Sequence, residues 1–322
     1  MLVPFEDDHG SGTRAVINRQ LLTDVVRTIR TSGPDMIVLD ILLDNPSVMD
    51  SALYIELEQA SPLIMSSYQN DNGSLNRPRK GLLYARAQYA TTSGSFLKYQ
   101  LLDSDTIKYV PAVMYEHTTQ DTLSSLGSFV RSKEAWWFNS FIVDLSIRKE
   151  HIEVNEVVLW NLGDILKYST AAEVQSQTAG KIVIFGDFYE FDNHDTLLGT
   201  QPGPLIIVNT YLGLLKGVPR ITFWGFFFVF LLYFMCSIYI LHLWSYRQKL
   251  NSSRVFQRKI VRFIFQYFSY IVFFSLYTVI LYILTEKHYE LILFAIYFNV
   301  LEFVVRKYQK RVDAFLLPSS AS

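Results

Sequence analysis

The chain has 322 residues, of which 50% are hydrophobic, and its formal net charge is −1. That charge is a cancellation, because residues 1–220 carry 18 Lys/Arg and 26 Asp/Glu (net −8), whereas residues 221–322 carry 11 and 4 (net +7). The acidic part lacks the basic face that nucleic-acid binding requires. The single cysteine, Cys236, excludes an intrachain disulfide and a zinc site built on several thiolates.

The beginning of the chain alternates between helix and strand patterns. Apolar residues at helical spacing predict a helix that ends at Gly33-Pro34. Asp50 is placed to begin a second helix, either as its cap or in its first turn. In chain order we predict a helix at residues 21–29, a strand at 36–42, a helix at 51–59 and a strand at 62–65. This order predicts an α/β domain with a mixed or parallel, largely buried sheet.

The middle of the chain continues the alternation after a polar loop. Residues 68–80 are rich in Gly, Asn and Pro and predict that loop. Trp136, Trp137 and Phe138 form an aromatic cluster that belongs either to the core or to a rim facing a membrane. The remaining patterns predict strands at residues 109–115, 141–147, 181–185 and 205–208, and helices at residues 122–130 and 159–168.

Three apolar runs fill the end of the chain, at residues 222–244, 263–284 and 289–305. The first two contain no Lys, Arg, Asp or Glu, and each reaches the roughly 20 helical residues that cross a bilayer core. We therefore predict a domain over residues 1–220 followed by three transmembrane helices, with membrane lipid as a partner.

The distribution of Lys and Arg predicts the orientation of these helices. Residues 245–262 carry six Lys/Arg and no acid, and residues 306–311 carry four more, whereas residues 285–288 carry only Lys287 beside Glu286. Short segments rich in Lys and Arg stay in the cytoplasm. We thus expect a protein of the inner membrane with a cytoplasmic C-terminus and an extracytoplasmic N-terminal domain.

The most distinctive stretch is residues 181–220. An apolar strand ends at Gly186, and an acidic loop containing His194 follows it. A Pro202-Gly203 turn then precedes a second strand and a helix led by Asn209, which ends near Gly217. Together with Gly33-Pro34, Asp40 and the three following runs, this order resembles the CHASE domain of the second type, an extracytoplasmic sensory domain of bacterial receptors.

The resemblance implies a sensor that works with other proteins. Members of the family normally begin with a membrane helix, so we expect that the start of this chain is truncated, the alternative being that the first apolar run exports the domain. They often continue into a cyclase or kinase, whereas this chain ends shortly after its last apolar run. We therefore expect signalling through a separate membrane or cytoplasmic protein, and a homo-oligomer is a further candidate assembly.

The candidate ligand residues are acids and one histidine near strand ends. Asp40, Asp44 and Asp50 lie near the carboxyl end of the first strong strand, where α/β folds place their ligands. By the resemblance, Asp40 and Asp50 correspond to acids that recur in the family. We expect them to frame one cleft with the acidic loop of Asp192, His194 and Asp195, the alternative being helix capping and loop solubility.

A metal site and an enzyme are the weaker alternatives. Asp187, Asp192 and His194 offer ligands for a divalent ion, although a turn held by aspartate side chains explains the same pattern. No nucleophile elbow, zinc-protease motif or phosphate loop is present, so we predict no enzyme and no cofactor. A non-signalling scaffold and, more remotely, a metal-dependent hydrolase remain the alternatives to a sensor.

Overall fold

The structure is a computed structural model, and the chain divides into two compact units, Met1–Arg220 and Ile221–Ser322. In the described part of the chain, no helix has both the length and the apolar character needed to cross a bilayer. Apart from single residues, the predicted runs 263–284 and 289–305 and most of 222–244 lie outside that part. The described residues are 2–3, 17–43, 46–70, 72–88, 91–92, 95–96, 98–149, 158–189, 192–196, 198–223, 227, 230, 231, 234, 235 and 279.

Helices and strands alternate along the first unit. The helices are α1 (Arg19–Thr31), α2 (Asp50–Gln59), α3 (Val110–Thr119), α4 (Leu162–Tyr168), α5 (Ala171–Thr178) and α6 (Gly203–Leu215). The strands are β1 (Leu2–Val3), β2 (Met36–Leu39), β3 (Leu63–Ser67), β4 (Leu83–Arg86), β5 (Thr91–Thr92), β6 (Ser95–Phe96), β7 (Tyr99–Gln100), β8 (Ser124–Leu126), β9 (Phe129–Arg131), β10 (Trp136–Phe138), β11 (Ser140–Phe141), β12 (Ile182–Phe185), β13 (Asn193–Thr196), β14 (Gly199–Pro202) and β15 (Arg220–Ile221).

A parallel sheet forms the centre of this unit. Its strand order is β1-β12-β2-β3-β4, and every neighbouring pair in it is parallel. Ile37 and Leu39 pack on one face with α1, α2, α4 and α5, whereas Met36 and Val38 pack on the other with α3 and α6. Because both faces are covered, every residue of β2 and β3 is buried. The predicted α/β domain with a parallel sheet is confirmed.

Helix α1 follows the predicted apolar pattern. Leu22, Val25, Val26 and Ile29 are fully buried against the sheet, and burying each such side chain stabilises the fold by about 1.5–3 kcal/mol. Asn18 caps the helix, because its side-chain oxygen accepts a hydrogen bond from the Leu21 N–H at 3.1 Å. The predicted helix at residues 51–59 and the strands at residues 36–42, 62–65 and 181–185 are likewise present, with shifted ends.

Two predicted strands are helices instead, which makes those predictions wrong. Residues 109–115 lie mostly in α3 and residues 205–208 lie in α6, which begins at Gly203 and places Asn209 in its interior. Both helices pack between the sheet and a second core, so their apolar residues form continuous runs without helical spacing. Pro111 and Pro204 indicate the starts of these helices, since each lies in the first turn of its helix, where proline is favoured.

The other corrections concern turns and edges. The predicted helix at residues 122–130 is the β8–β9 hairpin, whose two-residue turn places Gly127 at φ 65°. The predicted strand at residues 141–147 is a strand only at its start, because Asn209 binds the backbone of Ile147 through its side-chain amide at 2.7 and 2.9 Å. The predicted helix at residues 159–168 is α4, with α5 following it as a separate helix.

Small sheets form a second lobe beside α3 and α6. The strand orders are β15-β10-β9-β8, β14-β13-β6-β5 and β11-β7. Trp137 and Val130 are buried in the core of this lobe with Ile206 and Leu214 of α6. Helix α6 therefore joins the second lobe to the central sheet.

Candidate functional site

The carboxyl edge of the parallel sheet contains a switch point between β2 and β12, which are neighbours. After β2 the chain turns to the face of α1 and α2, where Ile41 and Leu43 are buried. After β12 it turns to the opposite face, where Phe188 packs with α6. Loops that leave neighbouring parallel strands in opposite directions open a crevice, and α/β folds bind ligands there.

Asp40 lies at this switch point, directly after β2. Its Oδ1 accepts a hydrogen bond from the Ser66 hydroxyl at 2.5 Å, and its backbone N–H donates to the Phe185 carbonyl at 2.8 Å. The carboxylate Oδ2 is shielded from solvent and has no hydrogen-bond partner among the described residues. Such an atom is rare in native proteins and marks a place where a proton or a ligand donor is missing.

The surroundings of Asp40 disfavour its charged form. Withdrawal from water raises the pKa of Asp40 to about 7, and the negative charge of Asp192 adds to that increase. The hydrogen bond from Ser66 and the charge of His194 act in the opposite direction but do not cancel it. Asp40 therefore exchanges its proton close to neutral pH.

Asp192 and His194 form the second part of the site. The His194 Nε2 lies 2.9 Å from the Asp192 Oδ1, and the Asp192 carbonyl accepts the Gly203 N–H at 2.7 Å. A side chain at Gly203 would overlap the Asp192 carboxylate and would have to displace it. The pair is thus fixed to the first turn of α6, whose N-terminal dipole favours a negative charge.

Tyr99 and Gln201 join this edge from the second lobe. Burial raises the pKa of Tyr99 well above its usual value, and the charges of Asp40 and Asp192 raise it further. Gln201 faces His194 in the β13–β14 ladder and is fully buried. Its Nε2 has no hydrogen-bond partner among the described residues, so the edge also offers an unused donor.

Asp50 has its hydrogen-bond partners elsewhere. Asp50 lies in the first turn of α2, where its Oδ1 is 3.0 Å from the Arg19 Nε and its Oδ2 accepts the Ser47 N–H at 2.8 Å. Within the described residues, no hydrogen bond or ion pair joins it to Asp40, Asp192 or His194. These partners give Asp50 a role at the helix start, and its place in the ligand cleft stays a prediction. Asp44 lies outside the described residues.

The loop acids Asp187 and Asp195 have local partners. Asp187 accepts the N–H groups of Tyr189 and Asp192 at 2.8 and 3.2 Å, which makes it a turn residue. Asp195 is exposed and accepts the Thr200 hydroxyl at 2.8 Å. In the part of the chain that the structure describes, no three His, Cys, Asp or Glu side chains are arranged to hold a metal ion, so the set of Asp187, Asp192 and His194 is not supported as a metal site.

Sequence reasoning placed Asp40, Asp192 and His194 together but missed the residues around them. Ser66 lies near the carboxyl end of β3, the neighbour of β2, and the rule that located Asp40 would also have located it. Tyr99 has no comparable signal, because the second lobe brings it to the edge from a distant part of the chain. Gln201 reaches the edge through the β13–β14 hairpin, which pairs it with His194.

Comparisons of this chain with models of protein families, with curated proteins and with solved structures found no match.

Proposed function

We propose that this chain is a membrane-anchored sensor whose extracytoplasmic α/β domain binds a ligand or partner at the carboxyl edge of its parallel sheet. The observation that carries the proposal is Asp40, whose buried Oδ2 lacks a donor and whose pKa is raised to about 7 beside the Asp192–His194 pair. A carboxylate that serves stability alone is normally paired, so this arrangement favours binding.

A ligand at this edge would act through α6. Asp192 binds the first residue of α6 through its carbonyl group, and α6 runs from this edge to residues that precede the first apolar run. In this proposal the Asp192 loop has two positions, and a ligand that donates to Asp40 binds one of them more tightly than the other. Only such a difference in affinity can shift the balance between two states. The apolar runs and a separate signalling protein would carry the shift onward.

Ligand-dependent stabilisation of the full chain tests this proposal. We would reconstitute the protein in lipid nanodiscs and measure its Tm against a panel of small amines, amino acids, sugars and carboxylic acids at pH 7. A compound that binds the native state at 100 times its Kd adds about 2.7 kcal/mol of stability. We expect stabilisation by at least one class and its loss in Asp40→Asn.

The matched control is Asp35→Asn. Asp35 is exposed and lies before the amino end of β2, so the same chemical change is made at the other end of the same strand. If every compound that stabilises the wild type also stabilises Asp40→Asn, the carboxyl edge is not the binding site. A panel without any stabilising compound would favour the scaffold alternative.

A further inference from the structure

The β15-β10-β9-β8 sheet of the second lobe has an exposed apolar face, which we call the aromatic surface. It consists of Leu126, Phe129, Trp136 and Phe138, which are 57%, 39%, 46% and 37% exposed. The residues between them point inward, since Val130 and Trp137 are buried in the core. This small sheet is therefore apolar on both faces, although a solvated antiparallel sheet normally has one polar face.

The strand register joins these side chains into one continuous patch. Phe129 is paired with Leu126 on one side and with Phe138 on the other, and the rings of Phe129 and Phe138 are 5.9 Å apart. Arg131 is paired with Trp136 in the next row and is also exposed. Contiguous exposed apolar patches of this kind mark surfaces that bind a membrane or another protein.

The chain itself indicates what covers the patch. The Phe138 N–H donates to the Pro219 carbonyl at 2.9 Å, and the first apolar run begins at residue 222. Three residues span at most about 10 Å. If the run enters a bilayer, the aromatic surface is held close to the lipid headgroups. Trp is enriched at that interface, and Phe, Leu and Arg recur in helices that lie in it.

We propose that the aromatic surface docks on the leaflet of the membrane that the domain faces, with its aromatic rings at headgroup depth and Arg131 near lipid phosphates. This inference rests on the proposed function in one respect, because it requires that the apolar runs insert into the bilayer. It does not require that the carboxyl edge binds a ligand.

Contact quenching by brominated lipids tests the docking in the full chain. Cys236→Ser leaves no other cysteine, so Phe138→Cys in that background can carry a single environment-sensitive fluorophore. In liposomes of phosphatidylcholine with brominated acyl chains, we expect its emission to be quenched at least twofold relative to unbrominated lipid. The same fluorophore at Val48→Cys, where the native side chain is 96% exposed, should change little.

A second position protects the test against misfolding. Leu126→Cys replaces the most exposed residue of the patch. If Phe138→Cys lowers the Tm of the chain, quenching of the fluorophore at position 126 tests the docking instead. Quenching at Leu126 or Phe138 but not at Val48 supports the proposal.

The outcomes also separate the two proposals. If alkaline carbonate extracts the chain from the liposomes, membrane insertion fails and the proposed function fails with it. If the chain resists extraction but neither patch position is quenched, the docking proposal is overturned while the sensor proposal stands. If the fluorophore is protected from water only at high protein density and is not quenched by brominated lipid, the surface contacts a second copy of the chain. That result would also overturn docking.

Discussion

Two regions of the first unit treat carboxylates withdrawn from water in opposite ways. Between α1 and α2, Glu56 lies 2.7 Å from the Arg27 Nε and 3.1 Å from the Arg30 Nη2, and the first of these hydrogen bonds lowers the pKa of Glu56 most. At the carboxyl edge of the sheet, Asp40 has one hydroxyl donor and a negative neighbour, and its pKa is raised to about 7. The charge of Glu56 is neutralised by its two arginine partners, whereas Asp40 has no positively charged hydrogen-bond partner among the described residues.

The largest expected effect comes from removing the Asp40 charge. The unfolded chain loses this proton near the usual pKa of about 4, whereas the folded chain keeps it up to about pH 7. The contribution of Asp40 to the free energy of unfolding therefore falls as the pH rises from about 4 to about 7. Asp40→Asn should remove this dependence and raise the free energy of unfolding at pH 8 by up to about 4 kcal/mol.

Thermal melts of the full chain in detergent between pH 4 and pH 8 would measure the difference. Asp35→Asn should keep the wild-type profile, because Asp35 is exposed at the other end of the strand. Parallel profiles for the wild type and Asp40→Asn would mean that Asp40 is charged and satisfied in the native state, and the contrast with Glu56 would disappear.

Neutralising Glu56 should have the opposite sign. Its lowered pKa means that its contribution is present above the unfolded pKa and is lost as the pH falls through the folded pKa. Glu56→Gln leaves two guanidinium groups without their acceptor and should lower the free energy of unfolding at pH 7 by about 1–3 kcal/mol.

Glu58 on the same helix provides the control for that change. It pairs with Arg79 at 2.7 Å, and both side chains are at least 40% exposed. Glu58→Gln should therefore change stability by no more than about 1 kcal/mol. Equal losses for the two variants, measured by chemical denaturation, would show that Glu56 is no better placed than a surface ion pair.

The smallest effects should appear when the neighbours of Asp40 are changed. Asp192→Asn removes a negative charge and should lower the pKa of Asp40, whereas His194→Gln removes a charge of the opposite sign and should raise it. Each variant is compared with the double variant that also carries Asp40→Asn. The difference in their free energies of unfolding is measured against pH, and the midpoint of its change reports the pKa of Asp40. Shifts in the same direction would contradict the electrostatic description of the site.

The parallel sheet was accessible to sequence reasoning because its strands are short apolar runs between turn residues, and because α1 has a clear helical spacing. Helices α3 and α6 were not, since burial between two cores removes the spacing that identifies a helix. At the site, Asp40 could be placed by the rule that ligands lie at carboxyl ends of parallel strands. Tyr99 could not, because its position depends on how the second lobe packs.

The proposed sensor requires that the acidic domain lies on the outer side of the cytoplasmic membrane. In a Cys236→Ser background, Val48→Cys places a thiol at a 96% exposed position of the domain, and Ser252→Cys places one in the basic segment 245–262. A membrane-impermeant maleimide added to intact bacterial spheroplasts should label Val48→Cys and spare Ser252→Cys until the cells are lysed. Labelling of Ser252→Cys alone in intact spheroplasts would place the domain in the cytoplasm and contradict the extracytoplasmic sensor.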